Sequence, residues 1–108
     1  LLFMDCHTEA NVNFLPPLIE PISFFFFSVT CPYIDVICVK DYRYTGIQQG
    51  TRGVFNWQLI YQFLPVLPEH QTDPAEPFKS PVMMGCVFAV SAKWFWELGG
   101  YDVGFEIW

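Results

Sequence analysis

The sequence predicts an α/β chain built around a parallel sheet. Three observations lead there. The first 37 residues pass from strand to helix to strand character. Val82 to Val90 is a further continuous apolar run of the kind a buried strand shows. Helix signals stand beside these runs, with prolines at one start and a serine and a glycine pair bounding another.

The elements follow in order. Leu1 to Met4 is apolar and stops abruptly at Asp5, as a buried strand with a polar carboxyl end does. Asn11 or Asn13 is placed to cap a helix. Pro16 and Pro17 then fall in its first turn, where a missing N–H costs little. Leu15, Leu18, Ile19 and Ile22 continue at helical spacing. Val29 to Ile37 has β-branched strand character. Strand, helix and strand over this length make a βαβ unit, and hence a parallel sheet. Lys40 to Gly53, with Gly46 and Gly50 among polar residues, is expected to be loop. Val54 to Phe63 suits helix or strand. Pro65 to Pro81 carries five prolines and is expected to be a long loop. Val82 to Val90 is a strand interrupted at Gly85. Ser91 caps a helix over Ala92 to Leu98, which Gly99 and Gly100 end.

Composition narrows the function classes. A chain of 108 residues holds one small domain, and 53% apolar with 15% charged residues excludes a disordered tail. The net charge of −6 argues against nonspecific nucleic-acid binding, which needs clustered cations. The uncharged stretch from Pro21 to Ile34 is fourteen residues with two prolines, short of the roughly twenty a membrane span needs. Leu1 to Asp5 has no basic region of a signal peptide. The chain starts within a strand, and an internal fragment of a larger domain is expected. Cys6, Cys31, Cys38 and Cys86 lack C-x-x-C spacing, which argues against structural zinc. Four buried or half-buried thiols are expected, with a single disulfide as the alternative. Phe24 to Phe27 has two readings. It is an apolar turn packed on the core, or the translated pyrimidine tract of a retained intron, because such a tract ending in TTTCAG encodes phenylalanines and then the serine found at Ser28.

Asp5-Cys6-His7 is the sharpest chemical constellation. Alternate strand residues share a side, so a carboxylate and an imidazole aim at one point outside a strand's carboxyl end. That donor pair suits Mn2+ or a similar divalent ion. The plain alternative is a polar strand end in solvent. His70 sits among polar residues and is expected to be a solvated loop residue.

Asp5-Cys6-His7, Glu9 and Asn11-Val12-Asn13-Phe14-Leu15-Pro16-Pro17-Leu18 resemble the metal-site region of the polypeptide N-acetylgalactosaminyltransferases. The resemblance continues in order through Cys31 to Ile37, Arg52-Gly53-Val54-Phe55-Asn56-Trp57, Pro77 to Met83, Phe88-Ala89-Val90, Trp94 to Asp102 and Glu106-Ile107-Trp108. It implies a partial GT-A fold, the Rossmann-like nucleotide-diphospho-sugar transferase fold with a mixed sheet, truncated at both ends. Residues 1–108 would be one partial catalytic domain. The activity implied is retaining transfer of GalNAc from UDP-GalNAc to Ser or Thr of polypeptides, which starts mucin-type O-glycosylation in the Golgi lumen. Asp5 and His7 match the family's Mn2+ ligands, and Cys6 lies where the nucleotide-sugar is bound. Gly85 matches the first of two adjacent glycines that approach the sugar, with Cys86 standing in place of the second. Trp108 matches the first residue of the W-G-G-E motif over the donor. Phe55 and Trp57 match aromatics of the acceptor-peptide groove, and core packing is the alternative for that pair.

Overall fold

The computed structural model describes residues 1–47, 49–70, 73 and 75–106. Among the described residues, seven short strands form three small sheets, accompanied by two α-helices. The central sheet holds β1 (Leu2–Met4), β2 (Val29–Thr30) and β7 (Val87–Val90), in the order β1-β7-β2.

The predicted strand–helix–strand unit exists, but the predicted parallel pairing does not. β1 and β2 run the same way, with α1 (Leu15–Phe24) between them in sequence. β7 lies between them in space and pairs antiparallel with both. The apolar run marks β7 as a buried strand without revealing the direction of its partners. Every residue of β7 is buried, with Ala89 only 1% exposed. Its neighbours explain this. Phe3 lies opposite Phe88 in the β1–β7 register, with rings stacked at 4.7 Å. Phe95 and Tyr101 close around Phe3 at 5.2 and 5.5 Å. Leu18 is the buried residue of α1, which packs on β2 and β7. The Thr30 hydroxyl donates to the Leu18 carbonyl at 2.7 Å and ties the helix to the sheet edge.

α1 begins as its prolines require, but without the expected asparagine cap. Phe14 is the N-cap residue and no side chain caps the helix. Asn13 adopts φ 59°, a left-handed conformation that asparagine tolerates better than most residues. The second helix, α2 (Ala92–Glu97), is capped by Ser91, whose hydroxyl accepts from the Trp94 N–H at 3.5 Å. Gly99 and Gly100 follow with φ of 99° and 72°, and the Gly100 N–H donates to the Phe95 carbonyl at 2.9 Å. This is the left-handed helix stop that glycine provides.

The expected loop and the ambiguous segment resolve into hairpins. β3 (Val36–Ile37) pairs with β4 (Tyr44–Thr45), so Val29 to Ile37 is two short strands with 31–35 between them. β5 (Thr51–Phe55) pairs with β6 (Tyr61–Pro65). The proline-rich segment after β6 holds one 3-10 turn, Pro68–His70, in which His70 is half-buried rather than solvated. The phenylalanine run is not packed on the core. Phe24, Phe25 and Phe27 are 73%, 70% and 62% exposed. Phe26 and Phe27 meet at 4.0 Å with their rings tilted by 42°, and Phe27 and Trp94 meet edge to face at 5.0 Å.

Gly53 shows how closely the hairpin approaches the strand leading into β7. It bridges to Val82, and a Cβ placed on it would collide with the Tyr61 hydroxyl and lie 2.7 Å from the Val82 carbonyl oxygen. Gly53→Ala is expected to destabilise the chain by about 1–3 kcal/mol, the usual penalty of overpacking. Thermal melts of the two proteins check this, and an unchanged midpoint refutes it.

Candidate functional site

The Asp5-Cys6-His7 segment leaves β1 as a turn, not as continuing strand. The Asp5 N–H donates to the Cys86 carbonyl at 3.1 Å and extends the β1–β7 ladder by one bond. The Thr8 N–H then closes back on the Asp5 carbonyl at 3.1 Å. The turn, rather than strand alternation, therefore brings Asp5 and His7 into one exposed segment. Cys6 is exposed between them, against the expectation of a buried or half-buried thiol, because the turn lifts it off the sheet. The other three cysteines are half-buried, and all four are free thiols.

Cys86, preceded by Gly85, lies against this turn. A Cβ on Gly85 would meet nothing within 4 Å, so packing within the chain does not demand a glycine there. The open space is compatible with a ligand approaching the backbone. The Cys86 thiol is pushed up from its ordinary pKa by burial and by the negative charge of the nearby Asp5 carboxylate. The Cys31 thiol is also pushed up by burial, against the stabilising backbone N–H of Met84. Burial raises Tyr61 as well, with smaller contributions from the charges of Cys31 and Cys86.

The donor chemistry at the turn fits a divalent cation: one carboxylate and one imidazole, both exposed. Among the described residues, no group of three or more His, Cys, Asp or Glu side chains is arranged to hold a metal ion. The turn therefore offers at most two protein ligands among the described residues.

Phe55 and Trp57 stand elsewhere, at the closed end of the β5–β6 hairpin. They are not core residues, being 54% and 100% exposed. Local backbone chemistry holds them there. The Asn56 side-chain oxygen accepts from the Gln58 and Ile60 N–H groups, both at 2.9 Å, and Leu59 takes φ 60°. Phe55 leans on Tyr61 across the hairpin at 5.9 Å. The segment 80–86 connects the two regions. The Ser80 hydroxyl donates to the Gly53 carbonyl at 3.3 Å, and Cys86 reaches the Asp5 turn. Trp108 lies outside the described residues.

A cavity of about 460 Å³ opens between α1, the segment after β2 and the β5–β6 hairpin. Leu18, Tyr33, Arg52, Tyr61 and Phe78 are among its lining residues. None of Asp5, Cys6, His7, Phe55 or Trp57 lines it. The sequence gives no signal for this cavity, because its walls come from five separate segments.

The central strand with its two same-direction neighbours, and the carboxylate–imidazole turn at the sheet's end, match a segment of a GT-A fold. The comparisons with known proteins agree. A crystal structure of GalNAc-T7 with UDP, GalNAc and Mn2+ superposes with a TM-score of 0.89 at 35% identity, covering 99% of this chain and 21% of that one. N-acetylgalactosaminyltransferase 6 of Drosophila melanogaster is 52% identical over 108 residues, all of this chain and 16% of that protein. Polypeptide N-acetylgalactosaminyltransferase 10 of Homo sapiens is 53% identical over 110 residues, all of this chain and 18% of that protein. No family model matches the chain. The chain thus spans about a sixth of the length of the curated relatives it matches. Its resemblance to the polypeptide N-acetylgalactosaminyltransferases extends over its whole length. Among the described residues, no helix is long and apolar enough to cross a membrane.

The thiol environments give a direct expectation. A raised pKa means less thiolate, and thiolate is the form that alkylates. At pH 8, iodoacetamide should modify exposed Cys6 well before half-buried Cys31. Peptide mass spectrometry over time checks the order, and equal rates at the two sites contradict it.

Proposed function

We propose that these 108 residues are the part of a polypeptide N-acetylgalactosaminyltransferase catalytic domain that supplies metal ligands and an acceptor-facing hairpin. The observation that carries this reading is the whole-length similarity to such enzymes, with Asp5 and His7 together in one exposed turn. The substrates are UDP-GalNAc and a Ser- or Thr-containing polypeptide. The bond from the sugar anomeric carbon to UDP breaks. A bond to the acceptor hydroxyl oxygen forms with retention, and the hydroxyl proton is released. The compartment this reading assigns is the Golgi lumen.

Asp5 and His7 would hold Mn2+, completed by a ligand from outside the described residues. When bound, the ion supplies Lewis-acid stabilisation of negative charge on the departing diphosphate. Cys6 and Gly85 border the donor side, and Gly85 leaves room for the sugar to approach the backbone. Trp108 is assigned to the donor by its place in the motif. Phe55 and Trp57 offer exposed aromatic faces to an extended acceptor, a surface suited to proline-rich peptide.

A second reading, a peptide-binding chain without catalysis, is favoured by the lack of a third metal-type ligand beside Asp5 and His7 among the described residues. One experiment separates the two. The 108 residues replace the matching segment of the Drosophila N-acetylgalactosaminyltransferase 6, and transfer from UDP-GalNAc to a threonine peptide is measured. The catalytic reading expects an active chimera whose rate falls at least about a hundredfold on Asp5→Ala or His7→Ala, as loss of an electrostatic stabiliser does. An inactive chimera that still binds peptide selects the second reading. The 108 residues alone are expected to show no transfer.

The hairpin aromatics make a separable prediction. In the active chimera, Trp57→Ala should raise the peptide KM by about tenfold and leave the UDP-GalNAc KM unchanged. A change confined to the nucleotide-sugar KM would overturn the acceptor assignment.

A further inference from the structure

We propose that Asp35, Tyr44 and Asn11 form a polar clasp that positions the Asp5–His7 turn. These are positioning residues, and the inference rests on the reading of that turn as a metal site. The turn needs two anchors, because a chain fixed at one end leaves its side chains free to wander. The first anchor is the Asp5 N–H on the Cys86 carbonyl at 3.1 Å. Beyond His7, the second is the Asn11 side-chain amide, which donates to the Tyr44 hydroxyl at 3.3 Å. That hydroxyl in turn donates to Oδ2 of Asp35 in a short bond. The segment 5–11 is thus strapped between β7 and the β3–β4 hairpin.

The chemistry of the clasp is directional. A phenol that donates to a carboxylate becomes a better acceptor for the asparagine amide. The other Asp35 oxygen, Oδ1, is buried and has no hydrogen-bond partner among the described residues. Gly46 covers it closely enough that a Cβ there would stand 3.5 Å away. A carboxylate with one oxygen shielded and unpaired depends on Tyr44 for its remaining bond. The arrangement accounts for an asparagine, a tyrosine and an aspartate drawn from three separate segments. Capping α1 does not require Asn11, since that helix starts at Phe14 without a side-chain cap.

The test uses the chimera introduced above, in which the rest of the catalytic domain can supply the further ligand, with Mn2+ as the probe. Binding is followed by the loss of the free Mn2+ signal in electron paramagnetic resonance, and folding by thermal melts. His7→Ala should abolish the binding. Asn11→Ala and Tyr44→Phe should each weaken it about three- to tenfold, the effect of losing one hydrogen bond of ordinary strength. Asn11 is exposed, so Asn11→Ala should melt within about 3 °C of the parent chimera. That variant keeps the test decisive if Tyr44→Phe fails to fold. Binding that is lost in His7→Ala but unchanged in Asn11→Ala overturns the clasp and leaves the metal site standing. Weakening that only accompanies a large fall in melting temperature overturns it too, in favour of a structural role. A parent chimera that takes up no Mn2+, or a His7→Ala chimera that binds as well as its parent, overturns both the clasp and the metal reading beneath it.

Discussion

The antiparallel insertion of β7 between β1 and β2 is the constraint on which the other features depend. A four-residue strand buried along its whole length must satisfy its backbone groups on both edges, and β1 and β2 do so. The same pairing carries Cys86 to Asp5 and sets where the metal-type turn leaves the sheet. Just upstream, the Val82 bridge to Gly53 fixes the β5–β6 hairpin to the same length of chain. The Asp5–His7 turn and the exposed Phe55 and Trp57 therefore share one support, residues 80–90. A substitution there would disturb both ends of the proposed reaction together.

The α/β class, the two helices and their stop signals were legible because they rest on local chemistry. Pro16 and Pro17 announce a helix start, and Ser91 with Gly99 and Gly100 brackets another. Strand direction was not legible, since an apolar run such as Val87–Val90 reads the same with parallel or antiparallel partners. The hairpin at Thr51–Pro65 was obscured by its five-residue connection, which relies on the Asn56 side chain instead of a glycine. Asn11 was recognised as special for the wrong reason: its amide serves a tyrosine 33 positions away, not the helix that follows it. The candidate metal pair was visible as a pattern. The motif could not say that a turn, and not strand alternation, presents it.

The molecule is open for its size. Its radius of gyration is 15.1 Å, against about 13 Å for a compact domain of this length. Its accessible surface is 8899 Å², where a compact monomer of this mass exposes about 6,200 Å². The difference is carried by residues such as Phe24, Phe25, Trp57 and Trp96, which a self-contained core would be expected to claim. With six buried hydrophobic side chains among the described residues, the core is confined to β7, Leu18 and Val66.

The place of β7 in the chain also sets the order of assembly. Its partners are residues 2–4 and 29–30, separated from it by more than half of the sequence. Contacts of such long range require closure of a long loop before they return any stabilisation, which slows folding. During synthesis, β1, α1 and β2 leave the ribosome before residues 87–90, and their pairing with β7 waits for that strand. For that interval the edges that β7 later covers are unpaired, and such edges recruit either a chaperone or another nascent chain.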